Sequence, residues 1–162
     1  MPDAWRVDKE KWKNSSFDGS GAAREGGRWN SAGIRVVYAS KHLAMASLEK
    51  YVHLPKPVPA ATKLVRFTVD FNGVTTKTLH PADLPANWNV SPVPAETQKI
   101  GDDWVESNET AILAVPSAII PEEWNFLLNP AHPDFKKVTI HPPEKFIYTD
   151  RVARLTEPPA KP

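Results

Sequence analysis

The chain has no cysteine among its 162 residues. That absence excludes disulfides, thiolate zinc sites, iron–sulfur clusters and a cysteine nucleophile. Surplus charge is missing too: 20 Lys and Arg stand against 19 Asp and Glu, for a net +1. The phosphate-neutralising excess of a nucleic-acid binder is therefore absent, and no direct nucleic-acid binding is expected; any anion must be held locally. No apolar run approaches the roughly 18 residues of a membrane span, and the opening MPDAWRVDKEKWKN is too charged for a signal peptide. A cytoplasmic protein without a membrane segment is expected. No GxGxxG follows a strand and no GxxxxGK[ST] occurs, so neither Rossmann nor P-loop nucleotide binding is supported. His42, His53, His80, His132 and His141 show no HxxxH or HExxH spacing, and no metal site is expected.

What is present is ordinary globular material, 41% apolar and 24% charged, in a length that suits one domain. The 17 prolines are scattered and read as punctuation between short elements. Only EPPAKP, residues 157–162, reads as a frayed tail, which leaves 1–156 as the domain. IRVVYAS at 34–40 is rich in β-branched and aromatic residues and predicts a strand. From Lys41 the period changes. Ala44, Met45, Leu48, Tyr51 and Val52 form a helical stripe that Ser40 caps and the prolines from Pro55 end. KLVRFTVDF at 63–71 places Val65, Phe67, Val69 and Phe71 on one face of a half-buried strand. A second helix is predicted from about Pro94 to Glu106, then a central strand in TAILAVPS at 110–117, then short strands in WNFLLNP, VTIHPP and EKFIYTD. Strands outnumber helices and do not alternate with them, so the predicted class is α+β on mostly antiparallel sheet.

Four features bear on chemistry. In GGRWN, 26–30, two glycines let the main chain approach a ligand, and Arg28 offers a planar fork that fits phosphate or carboxylate. Trp29 then shields the site and Asn30 adds a directional bond; an ordinary Gly-Gly turn with a solvated arginine fits the same letters. Glu49 flanks the helical stripe. It either leans into a cleft, where a carboxylate steadies positive charge on a sugar carbon, or pairs in solvent with His53 at i+4. Tyr38 serves as core or as an aromatic wall against a flat ring. Ser117, at a strand end, makes a turn bond or meets a ligand.

The order of the pieces narrows these choices. AWRV at 4–7, GGRWNSAGIRVVYAS at 26–40, SLEKYVHL at 47–54, GDDWVES at 101–107 and AVPSAIIPEEWNFLLNPAHPDF at 114–135 together resemble the RES domain family, over about residues 4–150. That family takes its name from an arginine, a glutamate and a serine, and Arg28, Glu49 and Ser117 occupy the matching places. The resemblance implies an ADP-ribosyltransferase-like fold and the toxin of a type II toxin–antitoxin pair, with NAD+ as substrate and no prosthetic group. It further implies glycohydrolysis or phosphorolysis of NAD+, or transfer of ADP-ribose to a protein, and an Xre-like helix-turn-helix antitoxin, with a homodimer inside the complex. A catalytically inactive antitoxin-binding module is the remaining alternative. Carried over by position, Arg28, Glu49 and Ser117 are the catalytic set. Arg6 and Arg28 hold the phosphates, Tyr38 packs at the nicotinamide end, Glu49 binds ribose, and Ser117 orients the nicotinamide ribose or amide.

Overall fold

A computed structural model describes residues 1–155; the expected tail at 157–162 lies outside them. Eight strands form one sheet: β1 (Ala4–Lys9), β2 (Val37–Ser40), β3 (Leu64–Asp70), β4 (Thr76–Thr78), β5 (Ile112–Pro116), β6 (Trp124–Leu128), β7 (Thr139–Ile140) and β8 (Glu144–Phe146). Their order is β4-β5-β6-β2-β1-β3-β7, with β8 also on β3. Every pairing is antiparallel except β4 with β5. Helices α1 (Ser20–Glu25), α2 (Leu43–Val52), α3 (Ala95–Ser107) and α4 (Asp150–Ala153) complete the α+β architecture.

Where apolar residues alternate or run together, the strands fall close to expectation. Val65, Phe67 and Val69 are buried on β3, and every residue of β5 is buried, as a strand covered on both faces requires. Strand β2 is shorter than the 34–40 predicted, because the Ile34 carbonyl is taken by the Asn30 side-chain amide at 3.1 Å and is lost to the ladder. Helix α2 starts two residues late, with His42 at its N-cap. Ser40 does not cap it; its hydroxyl donates to Asn125 Oδ1 at 2.6 Å. The stripe is also rotated: Met45 and Ala46 are buried, while Ala44 and Val52 are exposed. That rotation turns Glu49 and Lys50 toward a cleft.

Two apolar clusters dominate the core. One joins strands across the sheet around Val37, Val69, Ile112 and Leu128. The other gathers Trp29, Trp88 and Trp104 over Leu113, Val115 and Leu127. Helix α3 closes onto this second cluster at Gly101, where an added Cβ would lie 1.7 Å from the Trp29 carbonyl oxygen. Among the described residues no helix is long and apolar enough to cross a membrane.

Candidate active site

The site is built around Glu49. From α2 its Oε1 accepts the Ser117 hydroxyl at 2.9 Å and the Asn125 side-chain amide at 2.6 Å. Asn125 is itself oriented, since its Oδ1 accepts from Ser40. Ser40 and Asn125 face each other in the β2–β6 ladder, and Asn125 faces Val115 in the β5–β6 ladder. Three strands thus fix one oxygen of the carboxylate. The other oxygen, Oε2, has no hydrogen-bond partner among the described residues, and Glu49 lines a cavity of about 890 Å³. That volume lies within the roughly 300–1,000 Å³ range of small-molecule sites.

Arg28 lines the same cavity. It is half-buried; burial pushes its pKa down and the nearby Glu49 charge is the main opposing influence, so the two side chains sense each other. One nitrogen, Nη1, donates to the carbonyls of Trp88 and Val90 at 3.0 and 2.9 Å, while Nη2 and Nε keep their hydrogens free of partners among the described residues. The loop that carries it is closed by the Gly27 amide, which donates to the Asn30 carbonyl at 2.9 Å. Helix α3 grips it along one face: Gln98 Nε2 donates to the Gly27 carbonyl at 2.9 Å, Gly101 abuts Trp29, and Asp102 accepts the Ser31 amide at 2.8 Å and the Ser31 hydroxyl at 2.5 Å. These positions, three and four apart, share a helical face. Gly27 is needed for close approach, because a Cβ there would meet the Tyr38 hydroxyl at 2.8 Å and Asn30 Oδ1 at 2.9 Å.

Tyr38 lines the cavity from β2. Its hydroxyl donates to Asn30 Oδ1 at 2.6 Å and accepts the Trp29 amide at 3.2 Å. Burial pushes the phenol's pKa up, well above its ordinary value. It is therefore a neutral wall, locked to the arginine loop.

Arg6 also lines the cavity, but three of its five donors are engaged: Nε to Ser16 at 2.8 Å, Nη1 to the Tyr38 carbonyl at 2.8 Å, and Nη2 to Asp8 at 2.9 Å. Asp8 is the hub of this network. It also accepts from the Ser16 hydroxyl at 2.7 Å and from Lys50 Nζ at 3.0 Å. Burial alone would raise its pKa; the Arg6 and Lys50 charges and the bonds from Ser16 and Lys50 outweigh this and hold it at about 2. A folded-state value below the unfolded 3.8 means that stability is present above pH 4 and is lost as pH falls toward 2. We expect this group to contribute about 2 kcal/mol at neutral pH. In Asp8→Asn the unfolding free energy should fall by at least that much at pH 7, because two part-buried cations lose their counter-charge. Urea titrations between pH 5 and 2 should also show a shallower acid slope in the variant.

The cavity therefore gathers Arg6, Arg28, Tyr38 and Glu49, and three sequence expectations change. Ser117 does not line the cavity: it is fully buried, and its oxygen accepts the amides of Ile119 and Ile120 at 3.1 and 3.3 Å while its hydrogen goes to Glu49. It positions the carboxylate from behind. Asn30, expected to reach a ligand, is fully buried; its amide nitrogen bonds the carbonyls of Ala22, Ser31 and Ile34. Trp29 is 2% exposed and stacks at a tilt on Trp88, 5.9 Å between centroids, so it is a core residue that also backs the cavity wall. Glu49 pairs with Ser117 and Asn125, and not with His53 as the solvated reading had it. The residue that sequence reasoning missed is Asn125. Its signal was a lone amide, open to one face, inside the apolar strand WNFLL.

Fold and site together define an α+β domain with an open cavity, in which a fixed carboxylate and an arginine share one lining. Residues 3–150 match the RES domain family, and the chain belongs to that family. It is similar to a Prs ADP-ribosylating toxin of Sphingobium sp. (strain YBL2), 38% identical over 93% of this chain and 96% of the relative. It is also similar to the toxin Res of Yersinia enterocolitica, 35% identical over 82% of this chain and 86% of the relative. The fold is shared with a chain in the crystal structure of the M. tuberculosis MbcT–MbcA toxin–antitoxin complex, with a TM-score of 0.74 at 15% identity over 90% of this chain and 85% of that one.

Proposed function

We propose that this protein is the toxin of a type II toxin–antitoxin pair and that it consumes NAD+ by breaking the nicotinamide–ribose bond. The observation that carries this reading is the Glu49 carboxylate, fixed by Ser117 and Asn125 in the same cavity as Arg28. The electron pair of the broken bond leaves with nicotinamide, which departs neutral, so no strong acid is required. Positive charge then grows on the anomeric carbon and the ring oxygen. A pre-oriented carboxylate stabilises that charge without reorganising. The free donors of Arg28 suit the bridging pyrophosphate; Arg6 also lines the cavity, with its charge already met by Asp8. Tyr38 offers its ring to a flat group.

The incoming group decides the product. Water donates an oxygen lone pair to the carbon and releases a proton, leaving ADP-ribose; inorganic phosphate attacks in the same way and leaves the 1-phosphate of ADP-ribose. A second reading, transfer of ADP-ribose to a side chain of a protein, is favoured by the name of the Sphingobium relative. Mass spectrometry after mixing the protein with NAD+ separates the three, run with and without phosphate and with and without a protein acceptor. Release of nicotinamide in none of these mixtures would overturn the reading. An antitoxin is the proposed partner, with an Xre-like helix-turn-helix protein as the expected type. Restored growth of expressing cells on co-expression of the neighbouring gene tests it.

Arg28 supplies a prediction of its own. Arg28→Ala should lower NAD+ consumption about 100-fold, the scale of one or two charge-assisted hydrogen bonds, with stability within about 1 kcal/mol of wild type. Arg28→Lys keeps a cation for the Trp88 and Val90 carbonyls but loses the fork, and should still lose about tenfold. Full activity of the lysine variant in a nicotinamide-release assay would remove the pyrophosphate role.

A further inference from the structure

One tryptophan stands apart from the core. Of the six tryptophans, Trp29, Trp88 and Trp104 are buried, Trp5 and Trp124 are half-buried, and Trp12 alone is exposed, at 41%. Trp12 ends the short turn of helix that follows β1 and lines the same cavity as Glu49 and Arg28. Leaving an indole in solvent forfeits burial that the other five tryptophans obtain, and an exposed aromatic beside a polar cavity is the pattern of a ring-stacking platform.

The surroundings of Trp12 give the ligand a chemical class. Lys11 Nζ lies 4.9 Å from the ring centroid and the Arg24 guanidinium 5.1 Å from it, and Lys9 lines the cavity close by. Cations grouped around an exposed π-face suit a nucleobase that carries phosphate. An exposed cation–π contact is weak, so a stacked base can displace the solvated Lys11 at small cost. Position agrees with this. Glu49 is anchored on the β5–β6 side of the sheet, while Trp12 follows β1, which lies two strands from β6 in the order β6-β2-β1. Two strand spacings amount to about 10 Å; they separate the strand that anchors the carboxylate from the strand that leads to Trp12, a spacing suited to the two ends of an extended dinucleotide.

We infer that Trp12, with Arg24 and Lys11 beside it, is the subsite for the adenine end of the dinucleotide; the inference rests on the NAD+ reading above. Trp12 is then a specificity residue that selects adenosine-bearing substrates and takes no part in bond breaking. Trp12→Ala should raise KM for NAD+ about tenfold or more, the scale of one base–aromatic stack, with kcat within about twofold of wild type. Trp12→Phe should recover most of the loss. Nicotinamide mononucleotide, which lacks the adenosine half, should be cleaved equally by wild type and Trp12→Ala. Equal damage to both substrates, or an unchanged KM for NAD+, overturns the assignment.

Calorimetric titration with adenosine monophosphate reads the subsite without turnover: wild type and Trp12→Phe should bind it, and Trp12→Ala at least about tenfold more weakly. If the protein consumes no NAD+ yet binds adenosine monophosphate through Trp12, the NAD+ reading falls and the subsite stands. If it consumes NAD+ with KM and nucleotide binding indifferent to Trp12, the subsite falls and the NAD+ reading stands. Wild type that does neither overturns both.

Discussion

Glu49→Gln should lower the rate of nicotinamide release by about 1,000-fold while leaving the melting temperature nearly unchanged. The side-chain carbonyl of glutamine can still accept from Ser117 and Asn125, the two bonds that fix Glu49 Oε1, so the local packing survives. What is lost is the negative charge facing the cavity. Removing a single preorganised group aimed at developing charge costs about 10²–10³ in kcat, and a full carboxylate charge opposite a cationic sugar belongs at the top of that range. Glu49→Ala is the less informative variant, because it strands the Asn125 amide and mixes folding with chemistry. The two quantities to compare are kcat from a continuous nicotinamide assay and Tm from calorimetry. Near-normal turnover in Glu49→Gln would mean that no charge is required there, and the oxocarbenium role would fall.

Gly101→Ala should produce the opposite pattern, a severe loss of folding. The added methyl would sit 1.7 Å from the Trp29 carbonyl oxygen and 2.7 Å from its carbonyl carbon. Both are main-chain atoms, in a segment tied to α3 by Gln98 on one side and Asp102 on the other, so neither can swing away as a flexible side chain would. Overpacking that a core can absorb costs about 1–3 kcal/mol. Here the helix must lift off, and at least about 3 kcal/mol is expected. For a domain of this size that corresponds to a Tm lowered by about 10 °C. The intrinsic preference of alanine for helix over glycine, about 1 kcal/mol in the other direction, is too small to reverse the sign. An unchanged or raised Tm would show that α3 and the arginine loop are not in the contact described.

These two positions illustrate what sequence can and cannot disclose. Strands with clean alternation or unbroken apolar runs, such as β3 and β5, are legible because their burial is written in the spacing. Strand β1 is not, since AWRVDK carries three charged residues and two of them, Arg6 and Asp8, neutralise each other inside the fold. Strand β4 escapes notice because all three residues of TKT lie on the surface and carry no apolar pattern. Around the cavity, Arg28 and Glu49 are distinctive in type and setting. Ser117 and Asn125 are ordinary letters whose meaning depends on partners 68 and 76 residues away. Gly101 reads as a weak spot in a helix until its opposite number, a tryptophan carbonyl 72 positions earlier in the chain, is known. Asn30 misleads in the other direction, because a polar residue next to Arg28 looks like a ligand contact and is in fact spent on the carbonyls that shape the turn.

The anchored oxygen of Glu49 has a thermodynamic corollary. A glutamate side chain gives up as much as about 1.5–2 kcal/mol of rotamer freedom when it is immobilised. Ser117 and Asn125 extract that penalty once, when the chain folds, so an arriving substrate encounters an acid that has no torsional disorder left to surrender.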